Sequence, residues 1–323
     1  MELSCITQPI QKELEDFDEL YKKSLYRPGK DFQFMLDFVA NKNGKRIRPL
    51  IVILAAKLCG EPNQNTLQYA IILELLHIAT LIHDDVVDNT LERRGQPSVM
   101  AQFDNRAAVL LGDYILSQAI SHGVETKNLK IIKIMASLAQ FLSEGELTQL
   151  VSSSELIIGE QRYFEVIWKK TAVLFASCTE LGAISAKADA EKIKILQSIG
   201  KNLGICFQLR DDIFDYFEQG ELGKPTGNDI REGKITLPLI HALRTAPKEK
   251  ANKIIAIIQQ QDFSSETIQK CILFAKEYNG IEYAVAKMQE IKTNTIGLLS
   301  GFPDSEVKKS MIGLIDYIIE RRK

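Results

Sequence analysis

An all-α fold is what this sequence predicts, and three observations carry that prediction. Glycine (19) and proline (9) are scarce among 323 residues, while Ala, Leu, Ile, Glu and Lys dominate. Apolar residues recur at three- and four-residue spacing over long stretches, with no convincing alternating strand between them. The breaks carry helix punctuation: Gly60-Glu61-Pro62, Arg94-Gly95-Gln96-Pro97 and a glycine-rich run from Gly220 to Gly233.

In chain order, the periodicity predicts helices over Phe32–Ala40, Leu50–Leu58, Gln68–Asp88, Asn105–Gly123, Leu129–Val151 and Ile158–Lys187. It continues with Glu191–Phe217, Leu237–Thr245, Glu249–Gln260, Ser265–Tyr278 and Ile281–Leu299. Two segments, Ile71–Ile82 and Val173–Ile184, are apolar nearly all round. A helix without a polar face belongs at the centre of a large bundle. No linker or low-complexity tract divides the chain, so residues 1–323 read as a single large helical domain.

The bulk properties narrow the function classes. A formal net charge of −2 points neither to nucleic acid nor to an anionic membrane, so an anionic substrate must meet a local basic cluster. The five cysteines (Cys5, Cys59, Cys178, Cys206, Cys271) show no paired spacing, which suggests reduced thiols and no zinc site. Met1 to Asp16 carries Glu2, Glu13 and Glu15 and no apolar run, so no signal peptide is expected. Glu74, Asp84, Asp113 and Glu180 interrupt the most apolar segments, leaving no transmembrane span. The expected location is the cytoplasm.

Two acidic clusters stand out. Asp84-Asp85-Val86-Val87-Asp88 ends one buried apolar helix, and Asp211-Asp212-Ile213-Phe214-Asp215 ends another. Carboxylates four apart share a helix face and repel, and their desolvation is costly. A lone copy could be a solvated helix end. Two copies point to divalent cations, whose preferred ligands are carboxylate oxygens. Magnesium, held by a few carboxylates plus substrate phosphate, fits best, and two facing patches could clamp one diphosphate.

A diphosphate also needs cations. Gly44-Lys45-Arg46-Ile47-Arg48-Pro49 precedes a helix, where amides and dipole favour anions. Arg93-Arg94-Gly95 follows the first cluster, Lys169-Lys170-Thr171 opens a buried helix, and Lys224 and Lys234 flank the glycine-rich segment. Each alone reads as a solvated charge. Bracketing two acidic clusters, they read as a site. His77 on the buried helix would by itself be a satisfied core residue. Thr171 and Gln208 carry oxygens that could face a carbocation.

Together these blocks, with Gly112-Asp113 and the run Gly223-Lys224-Pro225-Thr226-Gly227-Asn228-Asp229 to Gly233-Lys234-Ile235-Thr236-Leu237-Pro238, resemble the trans-isoprenyl diphosphate synthases, or polyprenyl synthetases. In order and spacing the resemblance covers about residues 40 to 240. It implies the type I isoprenoid synthase fold, an all-α bundle around a deep central cavity, and a homodimer. It implies head-to-tail addition of isopentenyl diphosphate to an allylic diphosphate. On that basis Asp84, Asp85, Asp88, Asp211, Asp212 and Asp215 would hold magnesium. Arg93, Lys170, Lys224 and Lys234 would bind the allylic diphosphate, and Lys45, Arg48, His77 and Arg94 would bind isopentenyl diphosphate. Lys170, Thr171 and Gln208 would serve catalysis, the last two by stabilising the allylic cation. The basic Arg321-Arg322-Lys323 resembles a tail that covers substrate in some members, although a frayed solvated end explains it equally well.

Ala79 and Thr80, just upstream of Asp84, are small where an aromatic side chain stops the product early in this family. One helical turn of about 5.4 Å corresponds to roughly one isoprene unit, so an open tunnel and a product beyond twenty carbons are expected. Ala79→Phe should then shorten the product. Leu76, Met135, Leu138 and Phe141 are candidates for a deeper floor, with core packing the alternative. Absence of a two-residue insertion in the first cluster also favours a long, octaprenyl-like product. The rivals are a farnesyl or geranylgeranyl diphosphate synthase, a terpene cyclase and a non-catalytic subunit. A cyclase would replace the second aspartate cluster, and an inactive subunit would lack aspartates.

Overall fold

The segments without a polar face become the centre of the molecule. The computed structural model describes residues 2–41, 44–93, 95–154, 159–217, 227–260 and 264–320. Its helices are, in chain order, α1 (Leu3–Thr7), α2 (Gln11–Leu25), α3 (Gln33–Ala40), α4 (Ile47–Cys59), α5 (Gln64–Val87) and α6 (Val99–Gln102). Then come α7 (Asn105–Glu125), α8 (Leu129–Ser154), α9 (Glu160–Ile167), α10 (Val173–Ser185), α11 (Ala190–Phe214) and α12 (Asn228–Arg231). The last are α13 (Leu237–Thr245), α14 (Lys248–Gln259), α15 (Ser265–Glu277), α16 (Gly280–Leu298) and α17 (Glu306–Glu320).

In α10 every residue except Glu180 and Ile184 is buried, and α4 buries the unbroken run Pro49–Ala56. Such helices have no outward face, so they pack on all sides: α10 lies against α4, α5 and α11, and α5 also lies against α7. The buried apolar side chains form a continuous core from Ile6 to Ile319. Asn63 starts α5 with a capping box, its side chain accepting from the Asn65 amide while Thr66 Oγ1 accepts from the Asn63 amide. Among the described residues no helix is long and apolar enough to cross a membrane.

The predicted helices correspond to elements of the structure, with three corrections. Ile158–Lys187 is not one helix: α9 and α10 are joined by a single wide π-turn, Trp168–Ala172. A two-stranded hairpin pairs Glu92–Arg93 with Gln96–Pro97, where no strand was expected. Helices α2 and α17 extend the bundle beyond the periodic segments named above, and each buries an apolar stripe, as with Phe17, Tyr21 and Leu25 in α2.

Candidate functional site

Both acidic clusters lie where an inner helix runs out, and in each the three carboxylates have different surroundings. Helix α5 ends at Val87, and Asn89 then takes a left-handed conformation (φ 50°), one of the few residue types that tolerates it. The chain doubles back, the Thr90 amide donating to the Asp85 carbonyl at 2.8 Å. That reversal delivers Arg93 from the hairpin, and its Nε donates to Asp85 Oδ1 at 2.7 Å. Asp85 is buried, Asp84 half-buried and Asp88 exposed. Burial pushes the Asp84 carboxyl up to about 6, and the nearby Glu146 charge adds to the effect against the opposing pull of Lys170.

In the second cluster Asp211 is exposed, Asp212 is buried and Asp215 half-buried. Asp212 accepts from Tyr163 Oη at 2.5 Å and from Gln208 Nε2 at 2.8 Å. Burial lifts the Asp212 carboxyl to about 7, with Asp211 and Asp215 adding repulsion and the two donors opposing it. The Tyr163 hydroxyl, pushed well up by burial and by Asp212, stays a donor. Asp215 accepts from the Asn228 and Asp229 amides, both at 2.9 Å, so it pins the start of α12. Asp229 is itself raised well above the usual carboxylate range, by burial and then by Asp212 and Asp215.

Thr171 Oγ1 donates to Gln208 Oε1 at 2.8 Å. The Gln208 amide therefore turns its nitrogen to Asp212, and a polar relay runs from the π-turn to the second cluster. Lys170, Thr171, Gln208, Asp212, Asp229 and Lys234 line one cavity of about 150 Å³. Lys170 is close enough to Asp84 to favour its ionised form, and Lys234 feels the charge of Asp88. These two lysines thus connect the first cluster to the cavity that holds the second. Burial would lower the Lys234 ammonium, but its partner Glu232 outweighs this and holds it above its usual value.

The basic loop before α4 is anchored by a residue to which sequence reading gave no role. Arg46, left-handed at φ 48°, occupies the N-cap position of α4. Its NH1 reaches the buried Glu74 at 3.0 Å, and the group lies 4.2 Å from the Tyr21 ring centre. Glu74 is one helical turn before the buried His77, so this tether ties the loop that carries Lys45 and Arg48 to α5 one turn from His77. Lys45 lies over the Tyr317 ring and Arg48 over Phe175. Arg94, Lys224 and Arg321-Arg322-Lys323 lie outside the described residues.

Of the product-length candidates, Leu76, Ala79, Met135 and Leu138 are buried, while Thr80 retains accessible surface. The Thr80 hydroxyl donates to the His77 carbonyl at 2.8 Å. Met135 packs against Gly123, holding α8 on α7. Phe141 is 36% exposed in the single chain. Sequence reading missed Glu146 and Tyr163, each a single polar residue without a motif of its own, and quoted Asp229 within the glycine-rich run without giving it a role.

Among the described residues no three His, Cys, Asp or Glu side chains already converge in a metal cage. The donor set nevertheless suits a hard divalent cation. Asp84 and Asp88 share a helix face, and carboxyls held above their normal range lack sufficient positive charge nearby.

Residues 30–274 match the family described as Polyprenyl synthetase. The chain is 37% identical over 285 residues to the octaprenyl diphosphate synthase of Haemophilus influenzae, covering 88% of this chain and 86% of that protein. A polyprenyl synthase of Caulobacter crescentus, solved with calcium and isoprenyl diphosphate, superposes with a TM-score of 0.91 at 30% identity, covering 100% of this chain and 98% of that one. A geranylgeranyl pyrophosphate synthase of Bacteroides thetaiotaomicron superposes at 0.84 with 39% identity, covering 98% and 99%.

Proposed function

The chain belongs to the polyprenyl synthetase family, and from that premise we propose that it condenses isopentenyl diphosphate with an allylic diphosphate, head to tail. The product is a long all-trans polyprenyl diphosphate, and pyrophosphate is released. The observation that carries this reading is a cavity lined by Asp212, Lys170 and Lys234, whose two lysines also interact with Asp84 and Asp88 at the end of α5. One continuous core supports treating residues 1–323 as a single domain. Leu110, Ile120 and Val124 expose an apolar face of α7, which supports a homodimer. A cytoplasmic location accords with the lack of a spanning helix among the described residues.

Magnesium, when bound, would neutralise the departing pyrophosphate and lower the barrier to ionisation. Of the six aspartates expected at the metal, Asp84, Asp88 and Asp211 would hold it directly. Asp85, Asp212 and Asp215 are committed to Arg93, to Tyr163 with Gln208, and to the amides opening α12, so they fix the geometry around the ligands. Arg93, Lys170, Lys234 and Lys224 meet the allylic diphosphate and stabilise charge on the leaving group. Lys45, Arg48, His77 and Arg94 hold isopentenyl diphosphate with its double bond towards the allylic carbon. Thr171 and Gln208, oriented by their mutual hydrogen bond, present oxygens to the allylic cation. The double bond attacks that carbon, a new carbon–carbon bond forms, and the proton lost from the adduct passes to the released pyrophosphate.

The 39% identical geranylgeranyl synthase keeps a twenty-carbon product as the second reading. The test is incubation of purified protein with magnesium, labelled isopentenyl diphosphate and geranyl, farnesyl or geranylgeranyl diphosphate, followed by sizing of the dephosphorylated products. Products well beyond twenty carbons support the long-chain reading, accumulation at twenty supports the second, and no incorporation refutes both.

A further inference from the structure

The π-turn that carries Lys170 has no proline or glycine of its own, but neighbouring helices approach it closely at glycines. A π-turn is rare and persists where packing over-determines it. Two glycines press on this one. A Cβ on Gly145 of α8 would come within 2.7 Å of the Lys170 amide nitrogen, and one on Gly204 of α11 within 2.4 Å of Ala172 Cα. On either side of Gly145 stand Glu144 and Glu146, two residues apart and so roughly 200° around the helix axis. They take one lysine each. Glu144 Oε2 lies 3.4 Å from Lys169 Nζ, which Glu165 also holds at 3.1 Å. Glu146 takes Lys170 Nζ at 2.8 Å. The two neighbouring ammonium groups are thereby drawn apart, and only Lys170 lines the cavity.

A carboxylate beside an anion site opposes the anion by simple charge, so its presence calls for a compensating role. We propose that Glu146 is a positioning residue for Lys170: it holds the ammonium over the allylic diphosphate site before substrate arrives, while Gly145 sets the backbone distance. A lysine stem is long and loses rotamer freedom when fixed, and a partner that orders it in advance lowers that cost of binding. This rests on the reading of Lys170 as an allylic diphosphate ligand.

The test is a double-mutant cycle of Glu146→Ala and Lys170→Ala, with Glu146→Gln as a near-isosteric variant. KM and kcat are measured for farnesyl diphosphate and for isopentenyl diphosphate at saturating magnesium. Glu146→Ala should raise KM for farnesyl diphosphate about tenfold and move KM for isopentenyl diphosphate less than about twofold. Glu146→Gln should fall between it and the wild type. The double variant should match Lys170→Ala alone, because the glutamate acts only through that lysine. Effects that multiply in the double variant, or equal rises in both KM values, overturn the proposal. So does a change confined to the magnesium requirement, which would assign Glu146 to the metal. Wild-type protein that turns over neither substrate would instead remove the prenyltransfer premise, an outcome separate from any result of the cycle.

Discussion

Replacing Thr80 by phenylalanine tests whether α5 carries the product's ruler. Thr80 precedes Asp84 by four residues, about 6 Å along the axis or little more than one isoprene unit, so a ring there meets the tail early in elongation. Thr80 keeps accessible surface within a buried helix, and its hydroxyl is satisfied by the His77 carbonyl. Ala79, at 1% exposure, is packed. The two positions therefore predict different outcomes. Thr80→Phe extends from a partly exposed position, costs less than about 1 kcal/mol, and gives products of about fifteen carbons or fewer with initial turnover retained. Ala79→Phe overpacks the core at about 1–3 kcal/mol, which lowers Tm by a few degrees in a chain of this size, whether or not it also blocks the tunnel. Reversed-phase sizing of products, paired with thermal melting, reads both effects. Long products from an active Thr80→Phe enzyme would remove α5 as the wall. Shortened products from Ala79→Phe without loss of Tm would move the tunnel to that side of the helix.

The site makes four other predictions. The raised carboxyls Asp84 (about 6) and Asp212 (about 7) stand above their usual 3.8, so the folded state binds more protons than the unfolded between about pH 4 and 7. Metal-free protein should accordingly lose stability as pH rises through 6–7, and magnesium affinity should weaken as pH falls through the same window, measured by melting and by titration calorimetry. Asp211→Asn should abolish turnover with Tm nearly unchanged, since Asp211 is exposed. Asp215→Ala should lower Tm, because two amides at the start of α12 lose their acceptor at about 1–3 kcal/mol each if left unpaired. Arg46→Leu strands the buried Glu74 and should cost about 2–4 kcal/mol, with KM for isopentenyl diphosphate rising more than KM for the allylic substrate. Equal effects on the two KM values would show that the Arg46 tether does not serve the Lys45–Arg48 loop.

What could be read from sequence was whatever periodicity and local spacing encode. The apolar runs before Asp84 and Asp211 gave the inner helices, and the repeated aspartate spacing gave the acidic ends. The π-turn was not legible, because Gly145 and Gly204, which let neighbouring helices approach it closely, stand 25 and 32 residues from Lys170 and Ala172, respectively, in the sequence. The Arg93 hairpin was missed for another reason: strands of two residues are too short to show alternation. Tyr163 looked like any aromatic on an amphipathic helix until α9 placed its hydroxyl against Asp212.

The two aspartate clusters share a sequence pattern and still differ in what their carboxylates are free to do. Adjacent helical residues point about 100° apart, so the first and second aspartates cannot both face one cavity. In each cluster the second turns inward and is matched by a donor from elsewhere, Arg93 for Asp85 and Tyr163 with Gln208 for Asp212. The fifth position then separates them. Asp88 follows the last residue of α5 and stays exposed on the face of Asp84, whereas Asp215 follows the last residue of α11 and is drawn into the amides of Asn228 and Asp229. On the proposed reading the pair on α5 would bridge cations, while α11 would contribute Asp211. An unequal clamp of this kind would leave the cavity beside α11 to Lys234 and to the relay in which Thr171 of the π-turn bonds Gln208 of α11.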